Sequence, residues 1–314
     1  MTPRWALRAR LLDNDRVLPP TLAPRTVLDG GLGSHLESLG HDLTGSLWSA
    51  RLLIDDPTVI RDAHHDYFAA GAMVAISSSY QVSFEGLAAI GIDAADGEVL
   101  LRRSVALARE ARDATRPTGL VAASVGPYGA ARADGSEYTG AYDLDREGLR
   151  RWHERRLAIL ADAGADLLAI ETIPTREESR ALLDLVAGSG VPAWISFTVA
   201  EGRLRDGGSL ADAFADADDV DEIVAVGINC SHPDQVDGAI RAARRSTGKA
   251  IVIYPNSGET WNAATRRWEG VAGPRPDRIA RWRDAGATAI GGCCRVGPDE
   301  IAAIAIALRD ESGD

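Results

Sequence analysis

Lysine and cysteine are both scarce in this chain. Lys249 is the one lysine among 314 residues, so a mechanism that forms a Schiff base on lysine would have to use it. The three cysteines cannot all pair, and they are not spaced like the framework of a disulfide-rich secreted domain. The cysteine content therefore indicates a reducing, cytoplasmic setting.

Long apolar runs and basic stripes are missing too. No run reaches the length of a membrane span, and the N-terminus has neither a continuous apolar segment nor a small-residue cleavage site. A formal net charge of −12 argues against a nucleic-acid surface. With 45% apolar and 25% charged residues the composition is globular, and the length suits a single α/β barrel. We expect small-molecule partners, with no nucleic acid and no membrane.

Short apolar runs recur along almost the whole chain. They are continuous rather than alternating, which is typical of parallel strands buried on both faces. Eight such runs are present, at 26–31, 72–79, 118–126, 166–173, 192–199, 222–230, 249–256 and 287–294.

Amphipathic segments with helix start and stop signals separate these runs. One example, "DDPTVIRDAHHDYFAAGA", has Asp56 before Pro57 at its start and Gly71 at its end. Eight strands, each followed by a helix, predict an α/β fold consisting of a single (β/α)8 barrel over 25–314, with residues 1–24 as a short extension. An open doubly wound sheet is the alternative, but "DGGLGSHLES" lacks the third glycine of the dinucleotide fingerprint.

Barrel enzymes work at the carboxyl ends of their strands, and all three cysteines lie there. Cys230 ends the sixth predicted strand, and Cys293 and Cys294 end the eighth. Side chains of adjacent strand residues point to opposite faces, so the chain must leave strand geometry for both vicinal thiols to face one point. Gly291 and Gly292 would permit such a bend.

Three converging thiolates favour a zinc site with an open fourth position. His232 is the nearest candidate for a fourth protein ligand. Two other interpretations stay open: ordinary buried cysteines, and a redox pair at Cys293–Cys294. Zinc on three thiolates is a poor Lewis acid for hydrolysis but suits a substrate thiol held as thiolate, which indicates alkyl transfer onto sulfur.

Polar residues at other strand ends would suit an amino acid that carries the thiol. Two carboxylates could clamp an α-ammonium group, and backbone N–H groups around Gly30, Gly31 and Gly292 could receive an α-carboxylate. Helix capping and turn formation are the ordinary alternatives for such residues. The predicted substrate-binding set is Asp29, Gly30, Ser77, Glu171 and Asn229.

A donor group would lie near the segment "YPNSGETW" that follows the seventh strand. Aromatic residues make up only 5% of the chain, so aromatic residues at strand ends suggest π-faces for a sulfonium or ammonium cation. They could equally just fill the mouth of the barrel. The predicted donor region comprises Tyr80, Tyr254, Asn256, Glu259 and Trp261.

These stretches together resemble the homocysteine S-methyltransferase family over about residues 26–308. The pair "GINC" and "GGCC" is the specific part, and "SVGPYGA" with "DGSEYTG" is typical of the branch that uses S-methylmethionine. The resemblance implies a Zn²⁺ ion held by Cys230, Cys293 and Cys294, with Asp29 and Glu171 on the homocysteine amino group. Homocysteine thiolate would attack the donor methyl group in line and become methionine. Ser77 stands where relatives often have threonine.

The length favours a sulfonium donor, S-methylmethionine or S-adenosylmethionine. About twenty residues follow the eighth strand, too few for a folate or cobalamin module or for the long arm of betaine-using enzymes. Alternatives are a betaine-dependent or other-thiol methyltransferase, a zinc hydrolase, and a non-catalytic zinc or thiol sensor. We expect a monomer or a small homo-oligomer.

Overall fold

The computed structural model of the chain describes residues 22–43, 48–132, 134–262, 267–269, 273 and 275–309. All but the last three residues of the predicted extension, 1–24, lie outside this described part. The extension therefore stays a prediction.

A closed parallel sheet forms the centre of the molecule. In chain order its eight strands are β1 (Thr26–Val27), β2 (Val74–Ile76), β3 (Leu120–Val125), β4 (Leu167–Ile173), β5 (Ala193–Phe197), β8 (Ile223–Asn229), β9 (Ala250–Tyr254) and β12 (Ala289–Ile290). Two separate hairpins follow β5 and β9: β6 (Val199–Ala200) with β7 (Arg203–Leu204), and β10 (Thr260–Asn262) with β11 (Arg267–Glu269). The sheet order is β1-β12-β9-β8-β5-β4-β3-β2. A parallel bridge between Leu28 and Val74 joins the two edges. The predicted barrel is confirmed.

Helices surround the sheet and follow the predicted start and stop signals. Pro57 begins one helix after Asp56, and Gly71 ends it with a φ of 113°, a left-handed conformation that favours glycine. None of the helices that the structure describes is long and apolar enough to cross a membrane. The helices are α1 (Leu32–Ser38), α2 (Trp48–Asp55), α3 (Pro57–Ala70), α4 (Phe84–Ala89), α5 (Ala94–Thr115), α6 (Tyr128–Arg132), α7 (Arg146–Ala161), α8 (Arg176–Val186), α9 (Leu210–Asp218), α10 (Val236–Ser246), α11 (Pro276–Asp284) and α12 (Pro298–Arg309).

The apolar residues of each strand divide between two layers. Those facing inward, among them Leu28, Val74, Ala122 and Trp194, fill the barrel interior. Those facing outward pack against the helices in a larger core. Burial on both faces explains why the strands are continuously apolar in sequence.

Lys249 lies at the opposite end of the barrel from the strand ends that carry function. It directly precedes β9, and its Nζ donates hydrogen bonds to the carbonyl oxygens of Val220 and Ile223 at 2.8 and 2.7 Å. These residues precede or begin β8. The amine therefore closes a loop at the amino-terminal face of the barrel.

His64 on α3 is a titratable side chain that is shielded from solvent. It is fully inaccessible, and neither ring nitrogen has a hydrogen-bond partner within the described ranges. Burial disfavours the charged imidazolium and lowers the pKa of His64 to about 4. Folding therefore requires the neutral ring.

This depressed pKa predicts an acid-sensitive stability. In the unfolded chain His64 is protonated near its ordinary pKa of about 6.5. The stability that the neutral ring contributes is therefore complete above that pH and is lost as the pH falls towards 4. His64→Gln removes this titration. Between pH 7 and 4 the wild type should lose about 3 kcal/mol more unfolding free energy than His64→Gln. Urea unfolding at each pH measures the difference.

His65 supplies the matched control, because the adjacent imidazole is about half exposed. His65→Gln should keep the pH dependence of the wild type. Equal acid sensitivity in His64→Gln and the wild type would show that His64 does not govern it.

Candidate functional site

A pocket of about 260 Å³ opens at the carboxyl ends of the barrel strands. Strand ends from several parts of the chain contribute to it, as expected for the functional face of a barrel. Most predicted site residues line it together: Gly30, Ser77, Tyr80, Glu171, Asn229, Cys230, Tyr254, Cys293 and Cys294.

The three cysteines converge at this pocket. Their Sγ atoms all lie within 4.8 Å of one another, and they form the one group of three or more such ligand residues found in the described part of the chain. Cys230 and Cys293 are joined as a disulfide, and Cys294 keeps a free thiol. This pairing was not predicted from the sequence. The redox pair at Cys293–Cys294 that the sequence left open is not formed, because these two cysteines are not bonded to each other.

Backbone packing places the vicinal cysteines. The Cys293 amide donates to Pro255 O at 2.8 Å and the Cys294 amide to Asn256 Oδ1 at 3.2 Å. A Cβ on Gly31 would lie 2.4 Å from Cys293 O, so glycine there permits the close approach. Gly292 is likewise packed against Val296 and has no positive φ. Close packing against Val296, rather than an unusual backbone angle, explains why residue 292 is a glycine.

The sulfur cluster fits a thiophilic metal once its disulfide is reduced. Zinc thiolate bonds measure about 2.3 Å, so sulfurs that share one tetrahedral ion lie about 3.8 Å apart. The observed spread requires only small shifts of the side chains. His232 is no member of the cluster, because it is exposed and its Nδ1 lies 3.4 Å from the Asp234 carboxylate. Three sulfurs, with no fourth protein ligand among the residues that the structure describes, leave one position for a substrate atom.

Asp29 is a buried carboxylate with one oxygen available. Its Oδ2 accepts a hydrogen bond from the Ile76 amide at 2.7 Å, whereas Oδ1 has no partner among the residues described. Burial raises the pKa of Asp29 well above its ordinary range, and the negative charge of Glu171 raises it further. A ligand cation would relieve both effects.

Glu171 lines the pocket and is held from two sides. Its Oε1 accepts a hydrogen bond from Ser124 Oγ at 2.5 Å. Burial raises the pKa of Glu171 to about 7, against the opposing hydrogen bonds from Ser124 and Tyr254. The Tyr254 hydroxyl is itself fixed by Trp194 Nε1 at 3.0 Å. Asp29 and Glu171 thus form an acid pair suited to an ammonium group.

Asn229 joins two strand ends through its side chain. Its Oδ1 accepts from the Thr172 amide at 2.7 Å and from Ser196 Oγ at 2.9 Å, and its Nδ2 donates to Thr172 Oγ1 at 2.7 Å. Thr172 and Cys230 both have left-handed backbones, with φ of 60° and 44°. The amide therefore holds Glu171–Thr172 against Asn229–Cys230.

Other predicted contacts are already used within the protein. Ser77 Oγ accepts from the Ser124 amide at 3.1 Å and lies 2.9 Å from Ser79 Oγ, so it joins β2 to β3. The amides of Gly31 and Gly292 donate to Val296 O and Asp29 O within the protein, and an α-carboxylate site around Gly30 stays a prediction. Gly30 lines the pocket.

The predicted donor region is only partly assembled. Tyr80 lines the pocket, and Tyr254 lies beneath it, inside the barrel. Asn256 orients the Cys294 amide. Glu259 points away, into a 2.8 Å ion pair with Arg295. Trp261 lies on β10, and its side chain is outside what the structure describes.

Several residues near the mouth were not predicted from the sequence. Glu137 and Tyr138 line the pocket from the loop after β3, and Arg205 packs on Tyr138. The signal was present, since "DGSEYTG" follows a predicted strand end, but its residues were used only as a family motif. Ser124 was missed because it lies within its strand rather than at the end.

Comparison with known proteins identifies relatives over nearly the full chain. A sequence model described as homocysteine S-methyltransferase matches residues 26–308. Homocysteine S-methyltransferase 4 of Zea mays is 45% identical over 309 residues, covering 92% of this chain and 90% of the relative. The homocysteine methyltransferase MmuM from Escherichia coli superposes in its metallated form with a TM-score of 0.81 at 41% identity, covering 96% of this chain and 99% of that one. Its oxidized form gives 0.80 at 41% identity, covering 95% and 98%.

The hydrogen bond from Ser124 predicts a measurable shift at Glu171. Ser124→Ala removes a donor that stabilises the carboxylate, so the pKa of Glu171 should rise above its value of about 7. Carboxyl-¹³C NMR titration of glutamate-labelled protein measures this, with Glu171→Gln assigning the resonance. Ser104→Ala, at a buried serine on α5, is the control and should leave the titration unchanged. An unshifted resonance in Ser124→Ala would contradict the assignment.

Proposed function

Because the chain belongs to the homocysteine S-methyltransferase family, we propose that it methylates homocysteine through a zinc ion held by its three cysteines. The family's reaction is transfer of a methyl group to homocysteine, which gives methionine. The observation that carries the zinc proposal is the convergence of three sulfurs in a pocket that the buried Glu171 carboxylate also lines, with the buried Asp29 directly before Gly30 of the same lining.

Cys230, Cys293 and Cys294 would hold the metal as thiolates. Bound zinc lowers the pKa of a substrate thiol and keeps it as a nucleophilic thiolate near neutral pH. The disulfide between Cys230 and Cys293 must be reduced first, because a bonded sulfur is not a thiolate ligand. This requirement supports a reducing, cytoplasmic location. The relative from Escherichia coli has been described in both a metallated and an oxidized form.

The acid pair orients the homocysteine head group. Asp29 Oδ1, which has no partner in the described structure, and the Glu171 carboxylate would accept hydrogen bonds from the α-ammonium. Its positive charge offsets the repulsion between the two carboxylates and favours their ionised forms. The substrate sulfur then lies over the cysteines, at the far end of the same molecule.

Methyl transfer needs little further chemistry from the protein. The homocysteine sulfur forms a bond to the donor methyl carbon while the bond from that carbon to the donor's sulfonium sulfur breaks. The electron pair of the broken bond stays on the donor, which leaves as a neutral sulfide. Homocysteine loses its thiol proton before attack. The protein aligns the two reactants, and Tyr80 offers a π-face to the cationic donor.

The size of the pocket favours S-methylmethionine as the donor. The pocket must hold both reactants, and its volume of about 260 Å³ lies below the roughly 300–1,000 Å³ typical of sites for drug-sized ligands. A second small amino acid meets that limit better than S-adenosylmethionine, which adds a nucleoside.

Zinc content tests the metal site directly. Reduced protein exchanged into zinc should contain about one ion per chain by elemental analysis, as expected of a single site built from three cysteines. Oxidation to the Cys230–Cys293 disulfide, Cys230→Ser or Cys294→Ser should release it. His232→Gln is the control and should retain it, because His232 lies outside the cluster. Stoichiometric zinc in a Cys230→Ser/Cys293→Ser variant would exclude the site.

A donor panel tests the reaction. Methionine formation from homocysteine is measured with S-methylmethionine, S-adenosylmethionine or betaine, each with and without a chelator. We expect the highest kcat/KM with S-methylmethionine and loss of turnover on chelation. Turnover with betaine alone would overturn the donor, full activity in the metal-free enzyme would overturn the zinc mechanism, and homocysteine binding without turnover would indicate a sensor.

A further inference from the structure

Glu137 carries a carboxylate oxygen that no group of the described chain satisfies. It lies on the short 3₁₀ turn Ser136–Tyr138 and lines the pocket. Its Oε2 is buried without a hydrogen-bond partner. Burial raises the pKa of Glu137, as expected of a carboxylate without a cation. A buried acceptor of this kind is costly unless a ligand uses it.

Arg205 carries a cation that packs against Tyr138 of the same loop. Its Nε donates to Thr198 Oγ1 at 3.2 Å, and Thr198 Oγ1 also contacts Cys230 O at 3.2 Å. Its Cζ lies 5.6 Å from the centroid of the Tyr138 ring. Within the described ranges it makes no ion pair, unlike the many surface arginines. Partial burial lowers its pKa, and no carboxylate opposes that effect.

Tyr138 connects these two groups at the pocket mouth. It follows Glu137 directly and lines the pocket with Cys294, while its ring packs under the Arg205 guanidinium. The loop and the β6–β7 hairpin also meet at Gly140, where a Cβ would lie 3.3 Å from Asp206 Cβ. An acceptor and a cation thus flank one aromatic ring near the sulfur cluster.

We propose that Glu137 and Arg205 form a second amino-acid subsite, which binds the α-ammonium and the α-carboxylate of the methyl donor. The inference rests on the proposed function and names the donor class as an α-amino-acid sulfonium. Asp29 and Glu171 serve the head group of homocysteine, so the second acid and the unpaired cation are available to the other reactant. Betaine offers no ammonium hydrogen to Glu137. Arg205 would bind the carboxylate through its planar fork of donors.

Donor analogues that lack one charge test each contact separately. The donors are S-methylmethionine, 4-(dimethylsulfonio)butanoate, which lacks the amine, and 3-(dimethylsulfonio)propylamine, which lacks the carboxylate. With wild-type enzyme each analogue should have a kcat/KM about 10- to 100-fold lower than S-methylmethionine, the effect of losing one hydrogen-bonded charge. The KM of homocysteine is measured in parallel.

Substitutions assign each contact to its residue. Glu137→Gln should raise the KM of S-methylmethionine about 10- to 100-fold and leave the KM of the analogue without the amine unchanged. Arg205→Gln should likewise raise the KM of S-methylmethionine and leave the KM of the analogue without the carboxylate unchanged. Arg205→Lys should restore part of the loss. Exposed residues of the neighbouring hairpin supply controls, and Glu201→Gln and Arg203→Gln should match the wild type for every donor.

Each outcome supports or overturns one idea. Equal effects of Glu137→Gln on donors with and without the amine would overturn the Glu137 contact. Equal effects of Arg205→Gln on donors with and without the carboxylate would overturn the Arg205 contact. The proposed function would still stand, because the wild type would transfer the methyl group. A variant that fails to fold leaves the wild-type comparison of analogues to decide, and equal kcat/KM for all three donors would overturn the subsite. If the wild type uses no sulfonium at all, the proposed function itself fails.

Discussion

The approach of two backbone segments at the barrel mouth governs the rest of the site. Gly292 donates to Asp29 O at 3.0 Å and Gly31 donates to Val296 O at 2.9 Å, so the first and last barrel strands continue to contact each other beyond the sheet. A side chain at Gly31 would collide with Cys293 O. This contact fixes Asp29 and the vicinal cysteines relative to each other. The substrate pocket follows from that arrangement.

Burial of unpaired charge gives the pocket its chemical character. Asp29, Glu171 and Glu137 all have raised pKa values, and in each the principal cause is desolvation. Carboxylates held away from water bind cations more strongly than exposed ones do, because the protein has already excluded competing solvent. The fold therefore stores unfavourable electrostatic energy that cationic groups relieve. Both reactants in the proposed reaction carry an ammonium group.

Much of the fold and part of the site could be predicted from the sequence. The eight apolar runs identify the barrel because burial on both strand faces leaves a simple pattern. Asp29, Glu171 and the cysteines could be located because functional sites of barrels lie at the carboxyl ends of the strands. Side-chain partners could not be predicted, since pairings such as Ser124 with Glu171 or Cys230 with Cys293 depend on sheet register and on residues far apart in the chain. Glu259 is one example, because its position after a strand did not reveal that its carboxylate forms an ion pair with Arg295.

The amide of Asn229 has a consequence for substrate choice. It ties Thr172, next to the Glu171 carboxylate, to the end of β8, which Cys230 directly follows, so these two ends of the pocket cannot move apart independently. A fixed spacing between an ammonium site and a sulfur site acts as a ruler for the length of the amino acid between them. Under the proposed function, cysteine, which is one methylene shorter than homocysteine, would not reach both ends at once. The spacing alone would then distinguish the two thiols by length.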